Sequence, residues 1–535
     1  MLRRFMIAPW HFTGQLQAGR LAPALSQVRG VDLPHRSAST TSTVMDNAKS
    51  LKTIDDLNGP TFMNTLYWLF VKGYFKHAQQ LQIIHNKIWG PLWKSKFGPL
   101  LLVNVASAEL IEQVLRQEGR YPVRTDMPHW RSYREMRNQA HGPLTEMGAK
   151  WQRIRSILNP RMLKPKHVSS YTDTINEVVT DFILKVSLLR DSGGQGAVVH
   201  NLTEELYKFA FEGICSVLFE TRMGCMDETI PEETQQFITS VGDMFMLSQI
   251  VIIFPRSVWP YLPFYRKFVA AWDYLFKVSD KLIQKKVEEI QQKVDLDKNI
   301  EGAYLTHLLL SEKMTLSEVL GSITELLLAG VDTTSNTISW ALYHLAKEPE
   351  IQEQLYQEVS AVCPGETVPT SEDTAQMPFM KAVIRETLRL YPVVPGNARY
   401  MVDNEIIVGD HLFPKKLVFP KQKSEPKYAM LSDLPEPALL PAHRWLRGSE
   451  EKSRLHPFGS VPFGFGTRAC LGRRVAELEM YLLLSRLIQR YELRPDPAGS
   501  VVKPITRTLL CPEKPINLQF LDRIPTREAQ RSSAS

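Results

Sequence analysis

The sequence predicts a mainly helical fold with at least one strand, and three observations carry this prediction. Apolar residues recur with the period of an α-helix over six long segments, which predicts amphipathic helices. These segments cover about residues 106–117, 170–189, 199–219, 232–252, 264–294 and 316–347. A further helical pattern, from Val475 to Leu487, follows a glycine-rich loop. The apolar segment from Pro99 to Val105 is expected to form a strand.

The glycine-rich loop places one cysteine, Cys470, just before a helix. Gly464 and Gly466 permit a tight backbone there. Unpaired N–H groups and the positive end of the helix dipole favour the thiolate over the thiol. Such a thiolate can act as the axial ligand of haem iron and favour O–O cleavage. Arg468, two residues earlier, could pair with a haem propionate. A buried cysteine in a glycine-rich turn is the alternative.

A second motif, Ala329–Thr334, lies inside the helical pattern 316–347. Gly330 costs the helix roughly 1 kcal/mol relative to alanine, and its missing side chain leaves room for a ligand. A threonine hydroxyl can bond back to a carbonyl one turn earlier. Asp332 followed by Thr333 supplies an acid and an alcohol, the pair that proton delivery to dioxygen requires. The alternative is an ordinary buried helix with two threonines.

Two further pairs stand at helical spacing. Glu386 and Arg389 lie at i and i+3, and Trp151 and Arg155 at i and i+4, so each pair shares one helix face. Arg399 follows the first pair. Alone, these pairs could be a surface salt bridge and a core tryptophan beside a surface arginine.

Together the four motifs, in this order, resemble the cytochrome P-450 monooxygenases over about residues 50–520. The spacing Phe-x-x-Gly-x-Arg-x-Cys-x-Gly from Phe463 to Gly472 carries most of the resemblance. It implies one domain, mainly α, in which a large helical lobe and a small β-rich lobe enclose one haem b. It also implies that Cys470 ligates the iron, that Asp332 and Thr333 are catalytic, and that Glu386 and Arg389 are structural. The other cofactor-binding residues implied are Trp151, Arg155, Arg399, Phe463 and Arg468.

The N-terminal segment has the composition of a targeting sequence. Residues 1–31 contain no acid but four arginines, and Ser and Thr cluster from Ser37 to Thr43, which predicts a mitochondrial transit peptide over residues 1–40. A disordered basic tail is the alternative. No segment near the N-terminus reaches the ~20 apolar residues of a membrane span. We therefore expect a peripheral protein on the matrix side of the inner membrane, with a disordered tail at 521–535.

Charge and cysteine usage agree with that compartment. The net charge is +7 and is spread along the chain, so nucleic acid is not implied. The five cysteines show no paired spacing, which favours a reducing compartment. The apolar and aromatic segment 251–264, with Trp259, Tyr261 and basic flanks, predicts contact with the membrane surface. Loop packing over the core is the alternative.

Two basic pairs predict an electron-transfer partner. Mitochondrial members of the family resemble one another in receiving electrons from a small acidic ferredoxin, which an NADPH reductase reduces. An acidic partner needs a basic docking face. Lys381 and Arg385 lie one turn apart, and Arg473 and Arg474 open the helix after the cysteine, at positions that match this use. Solvated charge is the alternative.

Four further stretches resemble the vitamin D and bile-acid group of the family: Leu66–Phe70, Gly119–Arg124, Leu158–Pro165 and Leu262–Phe264. That resemblance implies O2-dependent hydroxylation of a sterol side chain, in cholesterol, a bile-acid intermediate or a vitamin D-like secosteroid. The residues expected to line the pocket are apolar, as burial of a sterol requires. They are Val393, Val394, Leu509 and Leu510. The resemblance also implies that residues 393–398 form a strand that lines the pocket.

Residues 415–442 depart from the family's pattern. A strand and turns rich in Asp-Pro and Phe-Pro are expected there, whereas Pro420 would interrupt the hydrogen bonding of a strand. The pattern returns at His443-Arg444-Trp445, with Pro441 one residue too far away. A local reading-frame or splice error is our hypothesis. A truly divergent segment is the alternative, and it would indicate an inactive haem-thiolate paralogue or binding protein.

Overall fold

Long helices form where the apolar periodicity places them. The computed structural model describes residues 51–523 except 98–99, 125–126, 193–195, 297–301, 303, 402–403, 416 and 423–440. All six predicted helices are present with ends within a few residues of the prediction, and so is the helix after Cys470. The transit peptide predicted over residues 1–40 lies outside the described residues.

The helices are α1 Phe62–Leu66, α2 Ala78–Trp89, α3 Ala108–Arg116, α4 Pro128–Arg137, α5 Gly148–Leu163, α6 Pro165–Ser169, α7 Thr172–Ser192, α8 Leu202–Leu218, α9 Glu232–Val251, α10 Pro263–Asp295, α11 Tyr304–Leu310, α12 Leu316–Lys347, α13 Pro349–Val362, α14 Ser371–Ala375, α15 Pro378–Leu390, α16 Glu450–Arg454 and α17 Arg473–Arg490. Helix α12 begins and ends at the predicted residues. Its start is set by a capping box, in which the Thr315 hydroxyl accepts from the Glu318 N–H and the Glu318 carboxylate accepts from the Thr315 N–H.

The strands are β1 Leu92–Phe97, β2 Leu100–Val105, β3 Val198–Val199, β4 Gly396–Met401, β5 Ile406–Val408, β6 His411–Phe413, β7 Leu417–Gln422, β8 Tyr491–Pro495, β9 Pro504–Arg507, β10 Leu509–Pro512 and β11 Leu518–Asp522. Strand β2 is the strand predicted over residues 99–105. The largest sheet has the order β1-β2-β7-β4, in which only β2 and β7 run parallel. The other sheets are β3-β11-β8, β9-β10 and β5-β6.

Strand β7 corrects the expectation that Pro420 excludes a strand. The strand pairs with β4 along its length, with Pro420 opposite Ala398. On its other side it pairs with β2 at Val418 and Lys421, which lie on either side of the proline. A missing N–H therefore weakens one edge of the pairing without removing the strand. The departure from the family's pattern then falls mostly on residues 423–440, which lie outside the described residues.

Two other boundaries differ from the predictions. Strand β11 extends to Asp522, so Leu521 and Asp522 belong to a sheet and not to the predicted tail 521–535. Residues 524–535 of that tail lie outside the described part. Strand β4 begins only at Gly396, so Val393 and Val394 precede the strand that was expected to contain them.

Most of the buried apolar residues in the described ranges form two clusters, one in each part of the fold. The larger cluster packs the long helices around α12, which is buried along most of its length. The smaller one lies between α3 and the β-strands and includes Val103, Ile111, Ile406 and Phe413. Among the helices in the described ranges, none has both the length and the hydrophobicity that a membrane span requires. The mainly helical fold class with a small β-rich part is confirmed.

Candidate active site

The cysteine loop is a tight turn that leads into α17. The Cys470 N–H donates to the Phe463 carbonyl at 2.8 Å, which closes the loop. Gly464 and Gly466 have φ angles of 75° and 69°, a left-handed conformation that side chains disfavour. Cys470 is half-buried and forms no disulfide. The predicted tight backbone around a partly accessible thiol is therefore present.

Guanidinium groups surround this loop and bind its carbonyls. Arg155 Nη2 donates to the carbonyl oxygens of Thr467 at 3.2 Å and Ala469 at 2.9 Å. Arg124 Nη2 donates to the carbonyl oxygen of Arg468 at 2.6 Å. Three consecutive carbonyls before the thiol are thus held by arginines.

Arg468 itself is buried beneath the loop. Its Nε donates to the Pro122 carbonyl at 2.8 Å, and its guanidinium lies over the Trp151 ring at 3.7 Å from the ring centre. Burial and the neighbouring Arg124 lower the pKa of Arg468 to about 9. Burial and Arg399 lower the pKa of Arg124 to about 10. The cluster therefore concentrates positive charge away from water, which is costly unless an anion is present.

The cluster leaves buried donors available for such an anion. Glu118 accepts from Arg399 Nε and partly offsets the positive charge. Four donors have no hydrogen-bond partner among the described residues: Arg124 Nε, Trp151 Nε1, Arg155 Nε and Arg399 Nη2. Carboxylate oxygens are strong acceptors for such groups. Beside a cysteine thiol, this donor set fits the two propionates of a haem.

The motif on α12 forms a half-buried window in a helix that is otherwise buried. From Gly321 to Ala346, the only residues of α12 that are not buried are Ala329, Gly330, Asp332 and Thr333. The Thr333 hydroxyl donates to the Ala329 carbonyl at 2.7 Å, the predicted bond to the preceding turn. Asp332 and Thr333 are therefore the polar groups that this part of the helix presents.

Gly330 has a different role from the one expected. A Cβ at this position would stand 2.8 Å from Ile214 Cγ1 on α8, closer than such atoms normally approach. The missing side chain therefore lets α8 pack against α12, and it does not simply leave room for a ligand. The packing of α8 against α12 offsets the helix stability that Gly330 costs.

Tyr207 on α8 is a neighbour of the acid that the sequence did not reveal. Its hydroxyl interacts with the Asp332 carboxyl. Burial raises the pKa of Asp332 to about 7, and Tyr207 acts in the opposite direction. Neither the hydroxyl nor Asp332 Oδ2 has a direct hydrogen-bond partner among the described residues, an arrangement that a bridging water would satisfy. Only the packing of α8 on α12 brings the two residues together.

Glu386 and Arg389 form a closed ion pair in the interior. Arg389 donates through Nε at 2.9 Å and through Nη2 at 2.7 Å, one bond to each oxygen of Glu386. Trp445 Nε1 donates to the same carboxylate at 2.8 Å, and Arg444 Nε lies 4.0 Å away. Arg444 and Trp445, which follow the divergent residues 415–442, therefore contact this ion pair.

Three of the predicted docking residues, Lys381, Arg385 and Arg473, lie near one another. Lys381 is half-buried and donates to the Ala375 carbonyl at 2.6 Å, whereas Arg385, Arg473 and Arg474 are exposed. Ser485 of α17 donates to Met380 Sδ of α15 at 3.6 Å, so the two helices meet at this point. An acid also lies near these basic residues, because Arg473 Nε pairs with Glu477 at 3.0 Å.

The predicted pocket residues also come together. The Leu510 N–H donates to the Val393 carbonyl at 2.8 Å, so strand β10 lies against the segment after α15. Val393 and Leu510 are buried, and Val394 and Leu509 are half-buried.

The segment predicted to touch the membrane is exposed only in part. Ile252, Ile253, Phe254 and Tyr261 expose apolar surface, and Tyr261 is 80% exposed. Trp259 is buried instead, and its Nε1 donates to the Phe254 carbonyl. The expectation that Trp259 faces the interface is therefore wrong, because its indole is used to pack the loop onto the core.

Comparison with known proteins gives the class. The family model for cytochrome P450 matches residues 58–520. The chain is 44% identical over 497 residues to the mitochondrial sterol 26-hydroxylase of Rattus norvegicus, covering 91% of this chain and 92% of that protein. With the Homo sapiens protein of the same name, identity is 46% over 465 residues, covering 85% and 87%. With the Homo sapiens mitochondrial 25-hydroxyvitamin D-1 alpha hydroxylase it is 40% over 482 residues, covering 88% and 93%.

The fold and these matches define a haem-dependent monooxygenase, an oxidoreductase. The chain belongs to the cytochrome P450 family, as its motifs predicted. The resemblance to the vitamin D and bile-acid group is confirmed by the relatives as well.

Proposed function

We propose that the protein is a mitochondrial haem-thiolate monooxygenase that hydroxylates a sterol side chain with O2 and ferredoxin-supplied electrons. The substrate would be cholesterol, a bile-acid intermediate or a vitamin D-like secosteroid. Similarity to proteins named for sterol and vitamin D hydroxylation supports this substrate class. The observation that carries the proposal is the window of α12, where an acid and an alcohol are only half-buried in a helix that is otherwise buried.

The haem b would be held by residues of both parts of the fold. Cys470 Sγ would ligate the iron, with Phe463 beside it in the same loop. Arg124, Trp151, Arg155 and Arg399 would bind the propionates through the donors that lack partners, and Arg468 would add its positive charge beside them. When bound, the haem supplies the activation of dioxygen that inserts one oxygen atom into an unactivated C–H bond.

Asp332 and Thr333 would move protons at the window. A pKa of about 7 lets Asp332 take up or release a proton near neutral pH. The Thr333 hydroxyl donates its hydrogen bond to the Ala329 carbonyl, so its lone pairs can accept a hydrogen bond from water or from the acid.

The apolar residues would bind and shield the substrate. Val393, Val394, Leu509 and Leu510 would bury the sterol and exclude water. Close by, the Thr508 hydroxyl donates to the Phe245 carbonyl at 3.0 Å, which ties the β9–β10 turn to α9. The exposed apolar segment that follows α9 would rest on the matrix side of the inner membrane, where a sterol dissolves.

Electron supply and targeting complete the proposal. Lys381, Arg385, Arg473 and Arg474 would dock an acidic ferredoxin that an NADPH reductase reduces. The mitochondrial names of the relatives support a transit peptide over residues 1–40, and the family match over residues 58–520 supports a P450 domain over about 50–520.

An inactive haem-thiolate paralogue is the second candidate, favoured by the divergent residues 415–442. Two observations favour an active enzyme. Strand β7 forms at the start of that region, and Trp445 and Arg444 at its end reach Glu386.

Turnover with reconstituted ferredoxin and its reductase tests the proposal with a matched pair of threonines. Thr333→Ala should keep the haem but consume NADPH without product and release hydrogen peroxide. Thr337 makes the same bond to the preceding turn, at 2.7 Å to the Thr333 carbonyl, but is buried outside the window, so Thr337→Ala should stay coupled. No product from any sterol or secosteroid, or equal coupling in both variants, would contradict the proposal.

A further inference from the structure

The loop between α4 and α5, residues 138–147, is held against α12 by one buried acid. Glu325 on α12 is fully buried, and its Oε2 accepts from the N–H groups of Leu144 at 2.7 Å and Thr145 at 3.3 Å. Its Oε1 accepts from the Thr145 hydroxyl and pairs with Arg134 Nη2 at 2.9 Å. A single carboxylate thus holds the middle of the loop and neutralises a buried cation of α4.

Two glycines allow the loop to approach α12 this closely. A Cβ at Gly142 would stand 2.6 Å from Glu325 Oε2. A Cβ at Gly321 would stand 2.5 Å from the Ala140 carbonyl oxygen. Both distances are shorter than side chains tolerate, so the loop and the helix are each shaped for this contact.

The same loop supplies the acceptors for Arg468. Arg468 Nη1 donates to the Pro143 carbonyl at 3.4 Å, and Nη2 donates to the Glu146 carbonyl at 3.2 Å. The Pro143 carbonyl and the Leu144 N–H belong to one planar peptide group, in which they point in opposite directions. Glu325 binds the N–H side and Arg468 the carbonyl side. One peptide group therefore connects the two charged side chains.

We propose that Glu325 is a positioning residue for the haem site, because it holds Arg468 through this peptide where a propionate would meet the guanidinium. The inference rests on the proposed function in that it assumes a haem bound at Cys470. A carboxylate at one end of a hydrogen-bonded chain polarises the peptide and strengthens the bond at the other end. Arg468 needs such support, since its buried neighbours include other cations.

Glu212 offers a matched comparison for a purely structural role. It is fully buried, pairs with Arg222 Nε at 2.6 Å, and accepts from the N–H groups of Met223 at 2.9 Å and Cys225 at 3.0 Å. Within the described part of the chain, no hydrogen bond joins these partners to the cysteine loop. Glu212→Gln should therefore lower the free energy of unfolding, as Glu325→Gln does, but it should leave the hydrogen bonds of Arg468 unchanged.

The test measures how fast the holoenzyme loses haem to excess apomyoglobin. Glu325→Gln should lose haem on the order of tenfold faster, the factor of about one charge-assisted hydrogen bond, whereas Glu212→Gln should stay within about twofold of the wild type. In the Arg468→Lys background, Glu325→Gln should add little further acceleration, because it acts through Arg468. The shift that Glu325→Gln causes in the haem reduction potential should likewise vanish in that background.

Equal acceleration by Glu325→Gln in both backgrounds, or an equal effect of Glu212→Gln, would overturn the proposal. If Glu325→Gln does not fold, Thr145→Val, which removes only the hydroxyl donor, takes its place in the same cycle under the same criteria. The carbon monoxide spectrum of the reduced wild type is recorded first. A missing thiolate-type spectrum would refute the proposed function, whereas a normal spectrum with additive effects would refute only the role of Glu325.

Discussion

Two buried charge networks in this protein differ in one respect, and the difference separates structure from ligand binding. Around Glu386, one acid meets Arg389 and Trp445, and both carboxylate oxygens are used. Around the cysteine loop, several arginines meet one acid, Glu118, and buried donors stay without partners among the described residues. The first network is closed, and the second requires an anion from outside the chain.

The comparison gives a way to distinguish the two kinds of network. A buried ion pair is costly to break from either side, because the partner left behind is an uncompensated charge. A buried cluster of like charges is instead costly as it stands and is stabilised when a ligand arrives. Substitutions in the closed network should therefore reduce the stability of the fold, and those in the open network should reduce ligand affinity.

The largest effect is expected from opening the closed network. Glu386→Gln leaves Arg389 buried without its carboxylate, which should lower the free energy of unfolding by about 3–5 kcal/mol. Urea unfolding measures this change. Glu492→Gln is the control, because its pair with Arg494 is exposed and should contribute at most about 1 kcal/mol. Equal losses in the two variants would contradict the closed network.

A substitution in the open network should weaken haem binding and leave the stability of the fold nearly unchanged. Arg155→Gln should accelerate haem loss on the order of ten- to a hundredfold, since hydrogen bonds to charged groups contribute about 1.5–3 kcal/mol. The stability of the haem-free protein should hardly change, because one buried like charge is removed. Arg486, which donates to Asn176 O and Thr180 Oγ1 away from the loop, gives the control variant Arg486→Gln. Normal haem retention in Arg155→Gln would show that this cluster does not bind the cofactor.

A further buried acid makes the stability of the fold depend on pH. Glu479 on α17 lies against Gly213 of α8, and burial raises its pKa from 4.5 to about 8. The folded protein therefore binds a proton that the unfolded chain releases, so stability is lost as pH rises from roughly 5 to 8, by about 1.4 kcal/mol per unit at most. Glu479→Gln should flatten this slope, measured by unfolding at pH 6 and pH 8. An unchanged slope would mean that the carboxyl is ionised in the fold.

The smallest effect is expected where the charges face water. Replacing the half-buried Lys381 and the exposed Arg385 with Gln should raise the ferredoxin concentration for half-maximal rate a few-fold at low salt, because charges at the surface act through screened, long-range attraction. Substrate-induced spectral shifts should stay unaltered. A normal ferredoxin dependence of the double variant at low ionic strength would show that these residues are solvated charges with no role in docking.

Local patterns predicted what depends on neighbouring residues in the chain. The period of the apolar residues placed α12 between its true ends, and the spacing around Cys470 predicted its tight loop. Arg124, Glu118 and Tyr207 were missed as site residues, because they reach the site only through the packing of distant segments. Arg124 stood within a stretch that was used only to identify the group, and its distance from the other motifs hid its role.

The wrong expectations have physical causes of the same kind. Pro420 argued against a strand by its missing N–H, yet pairing with β4 over six residues holds β7 in place. The missing side chain of Gly330 was expected to leave room for a ligand, but Ile214 of α8 packs there. Trp259 was expected at the surface, but its indole N–H finds a partner inside the loop. Each outcome was decided by a neighbour remote in sequence.

The carbon monoxide difference spectrum of the reduced protein tests the central claim most directly. The claim is that the open arginine network serves a haem whose iron is ligated by Cys470. The wild type should give the thiolate-type spectrum, and Cys470→Ala should abolish it, whereas Cys511→Ala, which removes another half-buried thiol, should leave it intact. Retention of the thiolate-type spectrum in Cys470→Ala would place the ligand elsewhere and contradict the account.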